Sequence, residues 1–291
     1  MRIGIIGLGA MGASIGLALR SQRGWEDVTG YDTSARVQNA AKRRGAIREG
    51  TSSIPDLLDD AGIVVLAVPG PAVIQFLQEY GFGLRPDTIL IDTSILKAEI
   101  MRAAERYVPL RSGFVGSHPL ISCPPGIEAA SGHIFRGCRW CICPLRQTDE
   151  AQIARISALI EATGAHPYFV DATEHDSWIA ATHALPLLLD ASVFRLARRS
   201  DAWHEIARAS DLSFEQCLRT LSTRGNMVHE VLLTGGPALV SWLDRLQDEL
   251  QQWREAIVQR DPAFAREQSE QAPAILESWE RERRSSSSER R

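Results

Sequence analysis

Two side chains of reactive type close successive apolar runs of this 291-residue chain. Thr88-Ile89-Leu90-Ile91-Asp92 runs into Thr93 and Ser94, and Gly113-Phe114-Val115-Gly116-Ser117 ends at His118-Pro119. An imidazole accepts a hydroxyl proton near neutral pH, and a nearby serine can hydrogen-bond the same hydroxyl, so the pair suits general-base chemistry at an alcohol carbon. Serine at a strand-to-helix junction also serves as an N-cap, which leaves two roles open for Ser94. Strand ends at the carboxyl edge are where an open α/β sheet keeps its ligands and chemistry.

The electron acceptor for such chemistry is announced by MRIGIIGLGAMGASIGLAL, Met1 to Leu19. An apolar run (Ile3, Ile5, Ile6) ends in Gly7-Leu8-Gly9-Ala10-Met11-Gly12 and passes directly into an apolar helical pattern, the strand-turn-helix context of a dinucleotide-binding fingerprint. Gly7 permits the turn, Gly9 lets the backbone approach a pyrophosphate, Gly12 lets helix and strand pack closely, and the helix N-terminus offers N–H groups to phosphate. A second apolar run, Val28 to Tyr31, ends at Asp32, about 20 residues after the last glycine, where a ribose-binding acid belongs. A carboxylate there binds ribose hydroxyls and repels a 2′-phosphate, which favours NAD over NADP; Arg36 nearby softens that preference.

The elements that position these groups alternate. A helix is expected over Ser34–Arg44, then a connection in which Thr51-Ser52-Ser53 supply turn or cap residues. Ala61–Val68 is the continuous β-branched run of a strand buried on both faces, and its stop at Pro69-Gly70-Pro71 sets Val68 and Pro69 beside the expected nicotinamide ribose. Helices over 72–80 and 98–107 separate the strands that carry Ser94 and His118. A strand at Trp140–Cys143, a helix over 149–163 and a strand at 167–170 complete the pattern, a Rossmann-type doubly wound, mostly parallel sheet. From Thr173 the sequence is helical. A capping box (Thr173, Asp176) opens a nearly all-round apolar helix, Trp178–Leu196, that must be buried and that Pro186 should kink. Burial against a second copy makes a homodimer the expectation. The organisation read is therefore residues 1–171 as dinucleotide-binding domain, 172–284 as a helical substrate and dimerisation domain, and 285–291 (SSSSERR) as a disordered tail.

Net charge of −4 with mixed signs argues against nucleic-acid or anionic-membrane partners. No stretch reads as a membrane span, the apolar N-terminus belongs to the nucleotide fold rather than to a signal peptide, and a cytoplasmic protein is expected. Of five cysteines, Cys138, Cys141 and Cys143 crowd together, but Cys141 and Cys143 alternate on a buried strand and pack as small apolar residues, so no metal site is expected. His175 lies in the first turn of a helix, where the dipole disfavours a charged imidazole and a structural role is expected. His183, eight residues on, faces either cleft or core.

GLGAMGASIG, Asp92-Thr93-Ser94-Ile95-Leu96-Lys97, Gly116-Ser117-His118-Pro119, Glu174-His175-Asp176 and the apolar helix with Leu185-Pro186 together resemble the prephenate/arogenate dehydrogenase family, over nearly the whole chain and most specifically up to about Leu189. The resemblance implies an NAD(P)+-dependent oxidative decarboxylation in tyrosine biosynthesis. The ring carbon bearing the hydroxyl gives up hydride, a histidine takes the hydroxyl proton, and loss of a carboxylate as CO2 makes the ring aromatic. His118 matches the catalytic histidine and Ser94 the serine near hydroxyl and nicotinamide. Lys97 matches the lysine of the same element, in a supporting role at the substrate site. Arg219, in Leu218-Arg219-Thr220-Leu221, takes the place of the arginine that holds the remaining substrate carboxylate, a task suited to a guanidinium.

The chain departs from the family pattern around the pocket. Leu120-Ile121-Ser122-Cys123-Pro124-Pro125 replaces a small residue and glycine, and Val228 stands where tryptophan is common. In His183-Ala184-Leu185-Pro186 the histidine is displaced by one residue, about 100° on a helix. These departures keep two alternatives open: a 4-amino-4-deoxyprephenate dehydrogenase of specialised metabolism, and a catalytically inactive NAD-binding regulatory homologue.

Overall fold

The computed structural model describes residues 2–109 and 112–288. In chain order the first part contains β1 (Ile3–Ile6), α1 (Ala10–Arg20), β2 (Val28–Tyr31), α2 (Ala35–Arg43), β3 (Glu49–Gly50), α3 (Ile54–Asp60), β4 (Ile63–Leu66), α4 (Gly70–Tyr80), β5 (Ile89–Asp92), α5 (Ala98–Tyr107) and β6 (Gly113–Pro119). Then follow β7 (Arg139–Pro144), α6 (Glu150–Ala162), β8 (His166–Phe169), α7 (Ala172–Ile179), a π-helical turn (Ala180–Ala184), α8 (Leu185–Arg198), α9 (Trp203–Ala209), α10 (Leu212–Thr234), α11 (Gly236–Gln259) and α12 (Pro262–Ser288).

The eight strands form one sheet in the order β3-β2-β1-β4-β5-β6-β7-β8. The strands from β3 through β6 are mutually parallel, while β7 runs antiparallel to β6 and carries β8 parallel to itself. Chain order reverses across β1 and β4, which opens a crevice at their carboxyl ends. Period-two alternation explains the two cores: Ile63 and Val65 pack with Ile3, Ile5, Ile89 and Ile91 on one face, whereas Val64 and Leu66 pack with Ile6, Leu90 and Phe114 on the other. Both faces are covered by helices, as parallel strands require.

Several elements differ from the sequence expectation. The connection after Ile47 folds into edge strand β3 and helix α3, with Ser53 capping α3 by accepting from the Asp56 amide at 3.2 Å. The cap of α7 is Asp171, which accepts from the amides of Thr173 and Glu174, not a Thr173–Asp176 box. Pro186 lies in the first turn of α8, directly after the π turn Ala180–Ala184, where the helical regularity is broken. Of α8 only Leu187 is buried, so the apolar helix is mostly uncovered. Residues 172–198 are also long and apolar enough to cross a membrane by length and composition, contrary to the expectation of no such stretch. Their buried His175 and Asp176 nevertheless bond into the sheet-edge residues described below.

The chain divides into two compact units, Met1–Val240 and Ser241–Arg291. The change from alternating to helical architecture comes between β8 and α7, close to residue 171, but the first unit continues to Val240 because α10 packs on α4, α5 and α8. In the second unit Trp253 meets Phe264 edge-on at 5.2 Å between ring centres. Helix α12 continues through Ser285–Ser288, which the sequence reads as disordered; residues 289–291 lie outside the described residues.

Candidate active site

The first turn is shaped for a dinucleotide. Gly7 has φ +90°, and a Cβ there would lie 2.4 Å from the Ala67 carbonyl oxygen and 2.7 Å from Val68 Cγ1; a Cβ on Gly12 would lie 1.9 Å from the Gly7 carbonyl oxygen. Both positions therefore demand glycine. A Cβ on Gly9 would meet nothing within 4 Å, and Gly9 caps α1 without any side-chain bond, so the N–H groups of Ala10 and Met11 open the helix toward free space. The Asp32 carboxylate, at the end of β2, accepts from the Leu8 amide and the Ser34 amide, both at 2.9 Å. An uncapped helix N-terminus beside a fixed acid fits pyrophosphate and ribose. Val68 and Pro69 form the β4–α4 turn against Gly7.

Under the carboxyl ends of β5 and β6 lies a sealed polar cluster. Asp92 is fully buried; its Oδ1 accepts from the Ser117 amide at 2.9 Å and its Oδ2 from the Ser94 amide at 3.0 Å and from Lys97 Nζ. Lys97, also fully buried, donates to the Ser117 carbonyl at 2.7 Å. Ser117 Oγ in turn accepts from Trp140 Nε1 at 2.8 Å. Lys97 is thus committed beneath the strand ends and does not face a substrate. Ser94 caps no helix, since α5 begins after Lys97. Its Oγ is buried and has no hydrogen-bond partner among the described residues, the state of a hydroxyl held ready for a bound group.

His118 ends β6 nearly buried, opposite Cys141 of β7. Its Nδ1 is 3.1 Å from His175 Nε2, and His175 Nδ1 is 2.9 Å from Asp176 Oδ1. Asp176 also accepts from the amides of Lys97 at 2.7 Å and Ala98 at 2.8 Å. The His183 ring lies 6.3 Å from that of His118, so His183 faces the site. A π turn carries more residues than an α turn, and the displacement of His183 by one residue does not turn its ring away. Burial above all, with the electrostatic influence of the neighbouring His175, Lys97 and His183 behind it, holds His118 well below the usual imidazole range, so it is uncharged at neutral pH. The dipole argument for a merely structural His175 concerned a charged ring; a neutral one is free to join this chain of bonds.

Glu230 of α10 was not singled out in the sequence, although an acid inside Met227-Val228-His229-Glu230-Val231-Leu232-Leu233 is the signal that marks it. It is buried, and its Oε1 accepts from the amides of Gly70 at 3.1 Å and Ile95 at 3.2 Å. Burial raises its pKa, against the lowering effect of the two amides and Lys97. Met227, one turn earlier, packs on Ile95, Leu96 and Ile179. Arg219 stands on the exposed face of α10 with its guanidinium on Glu215, one turn away, and the structure does not bring it to His118. Cys141 and Cys143 are buried thiols, pushed up by burial to about 11 and about 12, and unreactive at neutral pH.

The family profile described as prephenate dehydrogenase, nucleotide-binding domain, matches residues 15–169. The chain is 25% identical over 260 residues to a prephenate dehydrogenase of Bacillus subtilis (strain 168), covering 88% of this chain and 70% of that one. It is 27% identical over 262 residues to a cyclohexadienyl dehydrogenase of Zymomonas mobilis, covering 89% of each. Its fold is shared with the crystal structure of prephenate dehydrogenase from A. aeolicus in complex with hydroxyphenyl propionate and NAD+, with a TM-score of 0.82, 22% identity and 98% of each chain covered.

Proposed function

The chain belongs to the prephenate dehydrogenase family, and from that premise we propose that it oxidatively decarboxylates prephenate or arogenate with NAD+, using His118 as the base. It is a dehydrogenase with a dinucleotide-binding domain and a small-molecule substrate. The observation that carries the proposal is a buried imidazole, kept uncharged at neutral pH, near the end of β6, while the turn after the neighbouring strand β5 holds the Ser94 hydroxyl, buried and without a hydrogen-bond partner among the described residues.

The Gly7–Gly12 turn and Asp32 would hold NAD+, which when bound would supply the hydride acceptor for the ring carbon that bears the hydroxyl. His118 accepts the hydroxyl proton, and Ser94 Oγ hydrogen-bonds that hydroxyl or the nicotinamide amide. The C–H electron pair leaves with the hydride, the ring carboxylate departs as CO2, and its bonding pair completes the aromatic ring. His183, its ring 6.3 Å from that of His118, walls the substrate ring. The acid at Asp32 supports NAD+ over NADP+. Exposed Val193, Leu196, Leu232 and Leu233 on α8 and α10 support a homodimer through the C-terminal helices, with residues 172–284 as the substrate and dimerisation domain. We assign the enzyme to the cytoplasm, where a small substrate and a soluble cofactor meet.

The test is NADH formation with prephenate, arogenate and 4-amino-4-deoxyprephenate. Turnover of either of the first two, lost by a factor of about 10²–10⁴ in His118→Asn while NAD+ still binds, is expected. Turnover of the amino compound alone overturns the substrate assignment, and bound NAD+ without turnover of any of the three overturns the enzyme reading.

A further inference from the structure

We infer that His175 and Asp176 form a positioning relay that fixes the ring tautomer of His118, leaving His118 Nε2 as the proton acceptor. The inference rests on the reading of His118 as the base and deepens it. The direction of the relay follows from counting donors. Asp176 receives the backbone N–H of Lys97 on Oδ1 and that of Ala98 on Oδ2. Both oxygens are thereby held as acceptors, and Asp176 Oδ1, which lies 2.9 Å from His175 Nδ1, obliges that nitrogen to carry a hydrogen. A neutral His175 then presents Nε2 as a lone pair. His118 Nδ1, 3.1 Å away, must donate to it, and the lone pair of His118 is left on Nε2.

The alternative tautomer would place two lone pairs against each other inside the protein, since His175 is fully buried and His118 nearly so. When His118 Nε2 takes the substrate proton, its Nδ1–H strengthens its bond to His175, and the charge is felt by Asp176 through one neutral ring. The relay is anchored in the strand-to-helix turn that holds Lys97, so the base and the Ser94 turn keep one geometry. The ionisable groups around His118 are His175 and Asp176 of α7, His183 of the π turn, Lys97 and Asp92 below, and Cys141 of β7.

The experiment uses the full chain with NAD+ and prephenate, with arogenate in parallel. His175→Leu removes the acceptor. His175→Gln restores it, because its amide nitrogen must face Asp176 and its oxygen must face His118. The expected result is a kcat lowered about 10–100-fold in His175→Leu with NAD+ affinity within twofold of wild type, a displaced acidic limb of kcat/KM, and recovery to within about tenfold in His175→Gln. Two-bond 1H–15N correlation on histidine-labelled wild type, with His118→Asn to assign the ring, should give His118 as the Nδ1–H tautomer; this holds the inference to account even where His175→Leu does not fold. An Nε2–H tautomer, or a His175→Leu enzyme with wild-type kcat and pH profile, overturns the relay. So does equal impairment of both variants with an unmoved pH profile. Full turnover by His118→Asn would instead overturn the base assignment itself, which keeps the two failures distinguishable.

Discussion

Lys97 and Asp92 form an ion pair that solvent does not reach, five residues apart across the turn between β5 and α5. The pair also bonds the Ser94 amide, the Ser117 amide and the Ser117 carbonyl, so the turn that presents Ser94 and the strand end that presents His118 share one charged clamp. Removing one partner leaves the other charge buried and unpaired, which costs about 3–5 kcal/mol. Lys97→Met should therefore lower Tm by roughly 10 °C or more, whereas Lys97→Met combined with Asp92→Asn should recover part of the loss. A thermal melt of Lys97→Met that matches wild type would show that the clamp does not hold the site.

His118 is buried without charge, and its folded pKa lies well below the ordinary value. Two results follow. The acidic limb of kcat/KM should fall below the ordinary histidine value of about 6.5. Stability should also decline as pH drops through that value, because the unfolded chain takes up a proton there that the folded protein refuses. Denaturant melts between pH 7.5 and 5 should give a shallower pH slope for His118→Asn than for wild type. A limb centred above 6.5 would mean that a group other than His118 governs the reaction.

The sheet and its strand ends were legible because each rests on a local signal. Ile63 to Leu66 is a run only a doubly covered strand tolerates, and Gly7 and Gly12 are demanded by backbone contacts under 2.5 Å. Ser94 and His118 follow from their strands. Helix α3 was missed because Ile54-Pro55-Asp56-Leu57-Leu58-Asp59-Asp60 is too short for its apolar spacing to stand out. Glu230 was missed, and the bond from His175 to His118 was not foreseen, for a different reason. These contacts join residues 57 apart for His175, and 135 and 160 apart for Glu230, and no local pattern records such a meeting.

The Asp32 carboxylate gives a direct lever on cofactor choice. With Oδ2 on Leu8 and Oδ1 on Ser34, it is rigidly aimed at the end of β2. Asp32→Ser removes a charge-assisted acceptor for ribose, worth about 1.5–3 kcal/mol, and should weaken NAD+ roughly 10–100-fold while improving NADP+, helped by Arg36. Fluorescence titration with both cofactors measures the ratio. Unchanged NAD+ affinity would remove Asp32 from the binding site.

Glu230 ties α10 to the two turns that flank the expected nicotinamide, through the amides of Gly70 and Ile95. Its pKa is raised, with burial the leading cause, so the folded protein binds the proton more tightly than the unfolded chain does. The stabilisation this provides is complete below the unfolded carboxyl value of about 4.3 and is lost as pH rises through the higher folded value. Glu230→Gln keeps an oxygen for both amides and carries no charge, so its Tm relative to wild type should improve as pH rises from the unfolded carboxyl value through the higher folded one. Glu230→Ala strands two buried amides, at about 1–3 kcal/mol each, and should be less stable at every pH and bind NAD+ more weakly. A gap between Glu230→Gln and wild type that stays constant across this range would show that the carboxyl is charged to the same degree in the folded and unfolded chain. Its contribution would then be hydrogen bonding to the two turns alone.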